Sequence, residues 1–262
     1  MLKGALHIHS NISPDSNLEL EFLRRSFKDA GYHFIMSAEH AEDLSAEKYQ
    51  DLLERYRTLS DNEFLIIPGL EIKWQDKVHF LAYGAKEYMA NIDDLSLRDA
   101  IRAIRGTTKC DFLVWGHFNH PARINGASLE VISLVDGLEV FNVGYHSRIA
   151  PDYVGMRTLN RLRSAGKAVV ALGGLDLHRQ DALGSMCCMI EGEERPRRGS
   201  IVAAFKEGRV ISQGRFFALT QSRYTAGVMF SSLCVTVASH YARRLRQKAK
   251  RIRKRYGKHT NA

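Results

Sequence analysis

The sequence is poor in the features that would assign it quickly. Its four cysteines, Cys110, Cys187, Cys188 and Cys234, form no C-x-x-C, and the adjacent pair cannot easily bridge itself, so no disulfide framework is written here. There is no N-terminal apolar signal stretch, which with the unpaired thiols makes a reducing cytoplasm the expected compartment. No stretch reaches the roughly 18 apolar residues that a membrane span needs. A G-x-S-x-G elbow, a P-loop, an internal repeat and a Gly/Ser linker are all missing. Acid is missing from one segment: residues 243–258, RRLRQKAKRIRKRYGK, hold ten Lys/Arg and no Asp or Glu.

What is present fits a folded chain with a substantial core. The 262 residues are 45% apolar and 26% charged, with mean hydropathy −0.26. That excludes a disordered, collagen-like or disulfide-stapled chain and suits one large domain. The net charge of +9 belongs to the tail, because removing 243–258 leaves 28 basic against 29 acidic residues. The expected division is therefore a body over 1–222 and an apolar-then-polybasic tail over 223–262.

Along the body, strand-like runs at 2–9, 32–39, 64–72, 78–84, 111–119, 137–142 and 168–176 alternate with helical patterns at 18–30, 46–60, 94–105, 127–134 and 154–165. This is the pattern of βα units around a parallel sheet or barrel. Runs 64–72 and 78–84 are too close for a helix and read as a hairpin. Residues 200–220 add a helix and a strand.

Nine of the eleven histidines lie in the body, and most cluster at strand ends. His7 and His9 end the first run, Glu39 and His40 the second, and Glu71 the third. His79 opens the hairpin return, His117 and His120 end the next run, and Asp176 and His178 end the last. Alternate strand residues share a face, so His7/His9 and Asp176/His178 can each present two ligands together. Carboxyl ends of parallel barrel strands open on one side, which is where such folds carry their sites. Imidazole and carboxylate without thiolate suit Zn, Mn or Fe. More than four such ligands imply more than one metal, with a carboxylate such as Glu71 bridging.

In order along the chain, LHIHSNISPDS (6–16), SAEH (37–40), PGLEI (68–72) with VHFLAYG (78–84), NHPAR (119–123), GGLDLHRQDALG (173–184) and AFKEGRV (204–210) resemble the motifs of the PHP (polymerase and histidinol phosphatase) superfamily of metal-dependent phosphoesterases. The resemblance implies a distorted (β/α)7 TIM-like barrel with two or three divalent ions. It places His7, His9, Glu71 and Asp176 on one metal, Glu71, His79 and His120 on a second, and Asp15, His40 and His178 on the third. His120 is preferred to His117 because it precedes Pro121. Ala5, Glu39 and Ser37-Ala38 depart from the family pattern at supporting positions, so altered support of His40 is expected. Every inferred ligand position holds a competent ligand, which favours an active enzyme.

The implied reaction is hydrolysis of a phosphate ester (a nucleotide, oligonucleotide or small metabolite) by metal-activated hydroxide. Arg123 and Arg179 are the candidate phosphate clamps, since guanidinium binds phosphate oxygens bidentately. A loop histidine, His146, is a lesser candidate for substrate contact. Two alternatives stand beside this: an amidohydrolase-like C–N hydrolase, and a metal-stabilised binding module with little turnover. For the tail, Leu245, Ala249, Ile252 and Tyr256 make a narrow helical stripe. A solvated cationic helix, a peripheral anchor on an anionic membrane and a nucleic-acid contact through Arg243–Lys258 all remain open.

Overall fold

A computed structural model describes residues 1–118, 127–145 and 147–256; for His240 and 243–256 only the backbone is considered. Twelve strands form two six-stranded sheets among the described residues, with seven α-helices around them. The first sheet runs β12 (Ala218–Leu219), β11 (Val210–Gly214), β10 (Met186–Ile190), β1 (Leu2–Ile8), β2 (Phe34–Ser37), β4 (Leu65–Ile67). In the second the order is β3 (Glu39–His40), β5 (Gly69–Trp74), β6 (Val78–Tyr83), β7 (Phe112–Gly116), β8 (Gly137–Asn142), β9 (Val170–Gly174).

The sheets are joined at both sides. On one, β2 passes into β3 and β4 into β5, each across one residue. On the other, Leu175 N donates to Leu6 O (3.0 Å), Leu177 N to His7 O (3.0 Å) and His9 N to Leu177 O (3.1 Å). The end of β1 is thereby fastened to the segment leaving β9.

All seven expected strand runs carry strands, and the 64–84 hairpin is β5 antiparallel to β6, with Glu71 opposite Leu81 and Lys73 opposite His79. The helices α1 (Leu20–Asp29), α2 (Ala46–Leu59), α3 (Leu97–Thr108), α4 (Leu129–Ile132) and α5 (Tyr153–Ser164) fall within a few residues of their patterns, and α6 is Arg198–Lys206. Ser45, Ser96, Ser128 and Asp152 cap α2 to α5 by accepting amide hydrogens of the first turn, which fixes where those helices begin. The apolar faces of α1, α2 and α3 bury Leu20, Leu23 and Phe27, then Tyr49, Leu52 and Tyr56, then Ile101 and Ile104. They join Ile35, Leu70, Phe80, Trp115 and Leu138 of the strands in one core.

One feature went unexpected, β10, which pairs antiparallel to β1; the tail expected to be helical is α7, one continuous helix over Ala226–Tyr256. The start of α7 is held to the body by Ser232, whose buried hydroxyl donates to Pro151 O (2.6 Å), and by Thr236, whose Oγ1 accepts from Tyr153 N (3.1 Å). No helix among the described residues is long and apolar enough to cross a membrane.

Gly69 is where β5 passes closest to the end of β2. A Cβ there would stand 2.2 Å from the backbone oxygen of Ser37, which cannot swing away as a side-chain tip could. Gly69→Ala is therefore expected to destabilise the fold by about 3 kcal/mol or more, read as a lower urea midpoint at unchanged slope. An unchanged midpoint would show that β5 has room to move, and with it Glu71.

Candidate metal centre

Strand ends gather the site. His7 leaves the β1–β2 ladder at a register shift between Leu6 and Ile8. Its backbone adopts φ 61°, and His117 (φ 47°) and Asp176 (φ 50°) share this left-handed conformation. Non-glycine residues occupy that region at a cost of about 1–3 kcal/mol each, and His and Asp are among the few that do so with any frequency. Each of the three follows or breaks a regular strand, and the twist turns its side chain into the common centre.

Glu71 is the hub. Its Oε1 lies 2.5 Å from His79 Nδ1 and 3.8 Å from His117 Nε2. Its Oε2 lies 3.6 Å from His7 Nε2, 3.4 Å from His9 Nε2 and 3.2 Å from His40 Nε2. The two carboxylate oxygens thus face different sets of imidazoles. Asp176 is divided in the same way: Oδ1 is 3.5 Å from His7 Nε2, 3.6 Å from His9 Nε2 and 3.5 Å from His178 Nδ1, while Oδ2 is 3.2 Å from His117 Nε2. At the outer rim Asp15, 57% exposed, reaches His178 Nε2 (3.2 Å) and His40 Nδ1 (3.8 Å). The rings lie against one another, His9 on His178 with centroids 4.1 Å apart and His7 on His117 at 5.0 Å.

Charge is concentrated here out of water. Burial opposes ionisation of Glu71, but His7, then His40 and His79, outweigh it and hold the carboxyl well below its ordinary range. Asp176 is held down similarly against burial, chiefly by His7 and His117. For His7 burial works against the proton, yet Glu139, Asp176 and Glu71 together keep its pKa well above the usual value. His9 goes the other way, lowered by burial. So many ionisable groups in one dry volume are costly unless something compensates them.

The unmet ring nitrogens show what would compensate. His7 Nε2, His9 Nε2, both nitrogens of His117 and His178 Nε2 are buried without a hydrogen-bond partner. Buried polar atoms are normally satisfied, and these orphans, with His7 Nε2, His9 Nε2 and His117 Nε2 beside Glu71 and Asp176 and His178 Nε2 beside Asp15, are the signature of groups reserved for a cation. Four sets drawn from these residues bring ligand atoms within 4.8 Å of one another: His7, His9 and Glu71; Glu71, His79 and His117; His9, His40 and His178; and His7, His117 and Glu139. Nitrogen and oxygen donors without sulfur suit a borderline or hard divalent metal. The residues present therefore fit such ions.

Measured against the sequence expectations, the structure brings together His7, His9, Asp15, His40, Glu71, His79, Asp176 and His178. His120, Arg123 and His146 lie outside the described residues. His117, ranked second to His120 on sequence, stands inside the cluster. Arg179 does not join it: its side chain is 84% exposed with its guanidinium 4.0 Å from Asp181.

Two carboxylates that support the cluster lie outside the expected ligand set. Glu139 was read only as part of a strand. Its Oε1 accepts from His7 Nδ1 (2.8 Å), and its Oε2 from His117 N (2.9 Å) and Asn142 Nδ2 (3.0 Å). It fixes the His7 tautomer so that Nε2 faces the centre. Glu39 accepts from Ser10 N (3.0 Å), Ser10 Oγ (2.7 Å), Ser13 Oγ (2.7 Å) and Tyr56 OH (3.1 Å). Ser13 Oγ in turn accepts from His40 N (3.1 Å) and lies 3.3 Å from His9 Nδ1. The departure at Glu39 thus supports His40 indirectly, through the 9–13 loop.

The fold has solved relatives. The chain is similar to PsfC from Pseudomonas syringae PB-5123, at TM-score 0.54 and 15% identity over 92% of this chain and 98% of that one. An amidohydrolase from Chromobacterium violaceum with bound sulfate and no metal aligns at TM-score 0.48 and 14% identity, over 84% and 98% of the two chains. A Bifidobacterium adolescentis protein proposed to be a metal-dependent phosphoesterase aligns at TM-score 0.47 and 15% identity, over 76% and 93%. No family model matches the chain, and no curated protein does.

Proposed function

We propose that this chain is a metal-dependent hydrolase of phosphate esters, built on a distorted (β/α)7 barrel of the PHP type. The observation that carries the reading is the set of buried, partnerless imidazole nitrogens, His7 Nε2, His9 Nε2 and His117 Nε2, facing Glu71 and Asp176. The barrel reading is supported by the joins between the sheets, which let one trace β1, β2/β3, β4/β5, β6, β7, β8 and β9 in turn and return to β1. The phosphate-ester reading is supported by the ordered motif resemblance from Leu6 to Val210.

In this reading His7, His9, Glu71 and Asp176 hold one ion, Glu71 and His79 with His117 or His120 a second, and Asp15, His40 and His178 a third. The ions would be Zn, Mn or Fe, and when bound they would supply Lewis acidity and lower the pKa of water. The chain's own residues do the rest. Glu71 and Asp176 keep the ligand sets a carboxylate width apart. Glu139 and Ser13 orient the imidazoles. Leu6, Ile8, Leu70 and Leu177, the sequence neighbours of these ligands, are buried and keep water from the strands that carry them. Asp15 and His178, more exposed than the inner ligands, mark the side from which a small phosphorylated substrate or nucleotide enters. Arg123 is retained as the phosphate clamp because it follows the His120-Pro121 pair; Arg179 is the weaker candidate, being in solvent.

The test is turnover by the purified protein on phosphorylated metabolites, 3′,5′-bisphosphate nucleotides, oligonucleotides and amides, before and after chelation. Phosphate release that chelator abolishes and Mn or Zn restores is expected. Amide cleavage without phosphate release would move the assignment to C–N hydrolysis. A protein without metal by elemental analysis, which takes none up, would end it.

A further inference from the structure

The tail poses a question that the metal centre does not answer. Among the residues whose side chains are described, helix α7 is docked by one side. Ser232 is buried, and Met229 and Thr236 are partly so, on the side that meets α5. On the opposite side Phe230 is 67% exposed, Leu233 36%, Val237 45% and Tyr241 62%. Steps of three, four and four put these on one helical face. A further step of four from Tyr241 reaches Leu245, from which Ala249, Ile252 and Tyr256 continue the spacing through the segment that carries ten Lys/Arg without acid. Helical backbone continues without a break to Tyr256. Next to the start of α7, a cleft of about 430 Å³ is lined by Arg157, Arg161 and Met229, so cationic groups of the body also border the helix.

From this face we infer that α7 is a peripheral anchor for an anionic lipid surface. A charge-only contact with nucleic acid would not require large apolar side chains held in water on the body. An interfacial helix needs both, apolar residues to enter the acyl boundary and Lys/Arg to meet acidic headgroups. The charge argues against a second copy as the occupant, since two such tails would bring twenty cations together. The apolar stripe is too narrow and too interrupted by charge to span, so the helix lies on the surface with the metal centre left in solution.

The experiment is flotation of the full chain with phosphatidylcholine vesicles containing about 30% phosphatidylserine, and with phosphatidylcholine alone. Binding to the acidic vesicles is expected, weaker by at least about 10-fold without phosphatidylserine or in high salt. The double variant F230S/V237S, altered only at exposed positions, should keep its melting temperature and lose about 10-fold in partitioning. No flotation, undiminished flotation of the variant, or a dimer that the variant dissolves would overturn the proposal. So would a gel shift on single-stranded RNA at lower protein concentration than vesicle binding requires.

Discussion

Glu71→Gln is expected to lower kcat/KM on the best phosphate ester by about 10³-fold or more, some 4 kcal/mol of barrier. An amide keeps the shape and places one oxygen, but its NH2 cannot ligate. In this site the two oxygens face different imidazole sets, His79 and His117 from Oε1, and His7, His9 and His40 from Oε2. Whichever way the amide turns, one set loses its shared oxygen. The exchange also removes one of the carboxylate charges that raise the pKa of His7. Metal content by elemental analysis should fall while the far-ultraviolet dichroism stays that of the parent. Excess metal should not restore the rate. A variant with full metal and near-parental turnover would show that Glu71 is not the shared ligand.

Glu139→Gln should weaken metal binding by about 10- to 100-fold, the usual consequence of removing the partner behind a ligating histidine. The glutamine oxygen can serve His7 Nδ1 or the His117 amide, not both, and its NH2 then faces a donor. The carboxylate occupies space that only a glycine leaves, since a Cβ on Gly174 would stand 1.8 Å from Oε1. Unlike Glu71→Gln, this variant should recover most of its rate at high metal. Metal titration of activity separates the two. Parental affinity would mean that the His7 orientation is set by the strand and by Tyr83, whose hydroxyl accepts from His7 N (3.1 Å), without need of Glu139.

Much of this was legible in the chain. The apolar runs located seven strand segments, and their ends supplied Glu71 and the His7, His9, His40, His79, His117, Asp176 and His178 that meet around it. The misses have physical reasons. Strand β10 is MCCMI, without a β-branched residue until its last position, and its partner β1 lies far away in sequence, so neither local propensity nor spacing marks it. His117 stands behind His120 on sequence because the proline after His120 matches the family motif, and His120 itself lies outside the described residues. What brings His117 into the cluster, a left-handed turn right after β7, has no signature in the residue string. Glu139 stood in plain sight as the one acid in GLEVFN. A lone carboxylate in a strand buried on both faces needs a partner, and that signal could have found it.

The left-handed backbone at residues 7, 117 and 176 sets a limit on breeding this protein for heat resistance. Glycine sits more comfortably than any other residue at such angles, so a library scored on melting temperature alone is drawn to it at these three positions. Each gain of that kind would discard a nitrogen or oxygen atom that the centre depends on. Durable variants should therefore be sought in the α1–α3 shell, with catalysis kept in the selection.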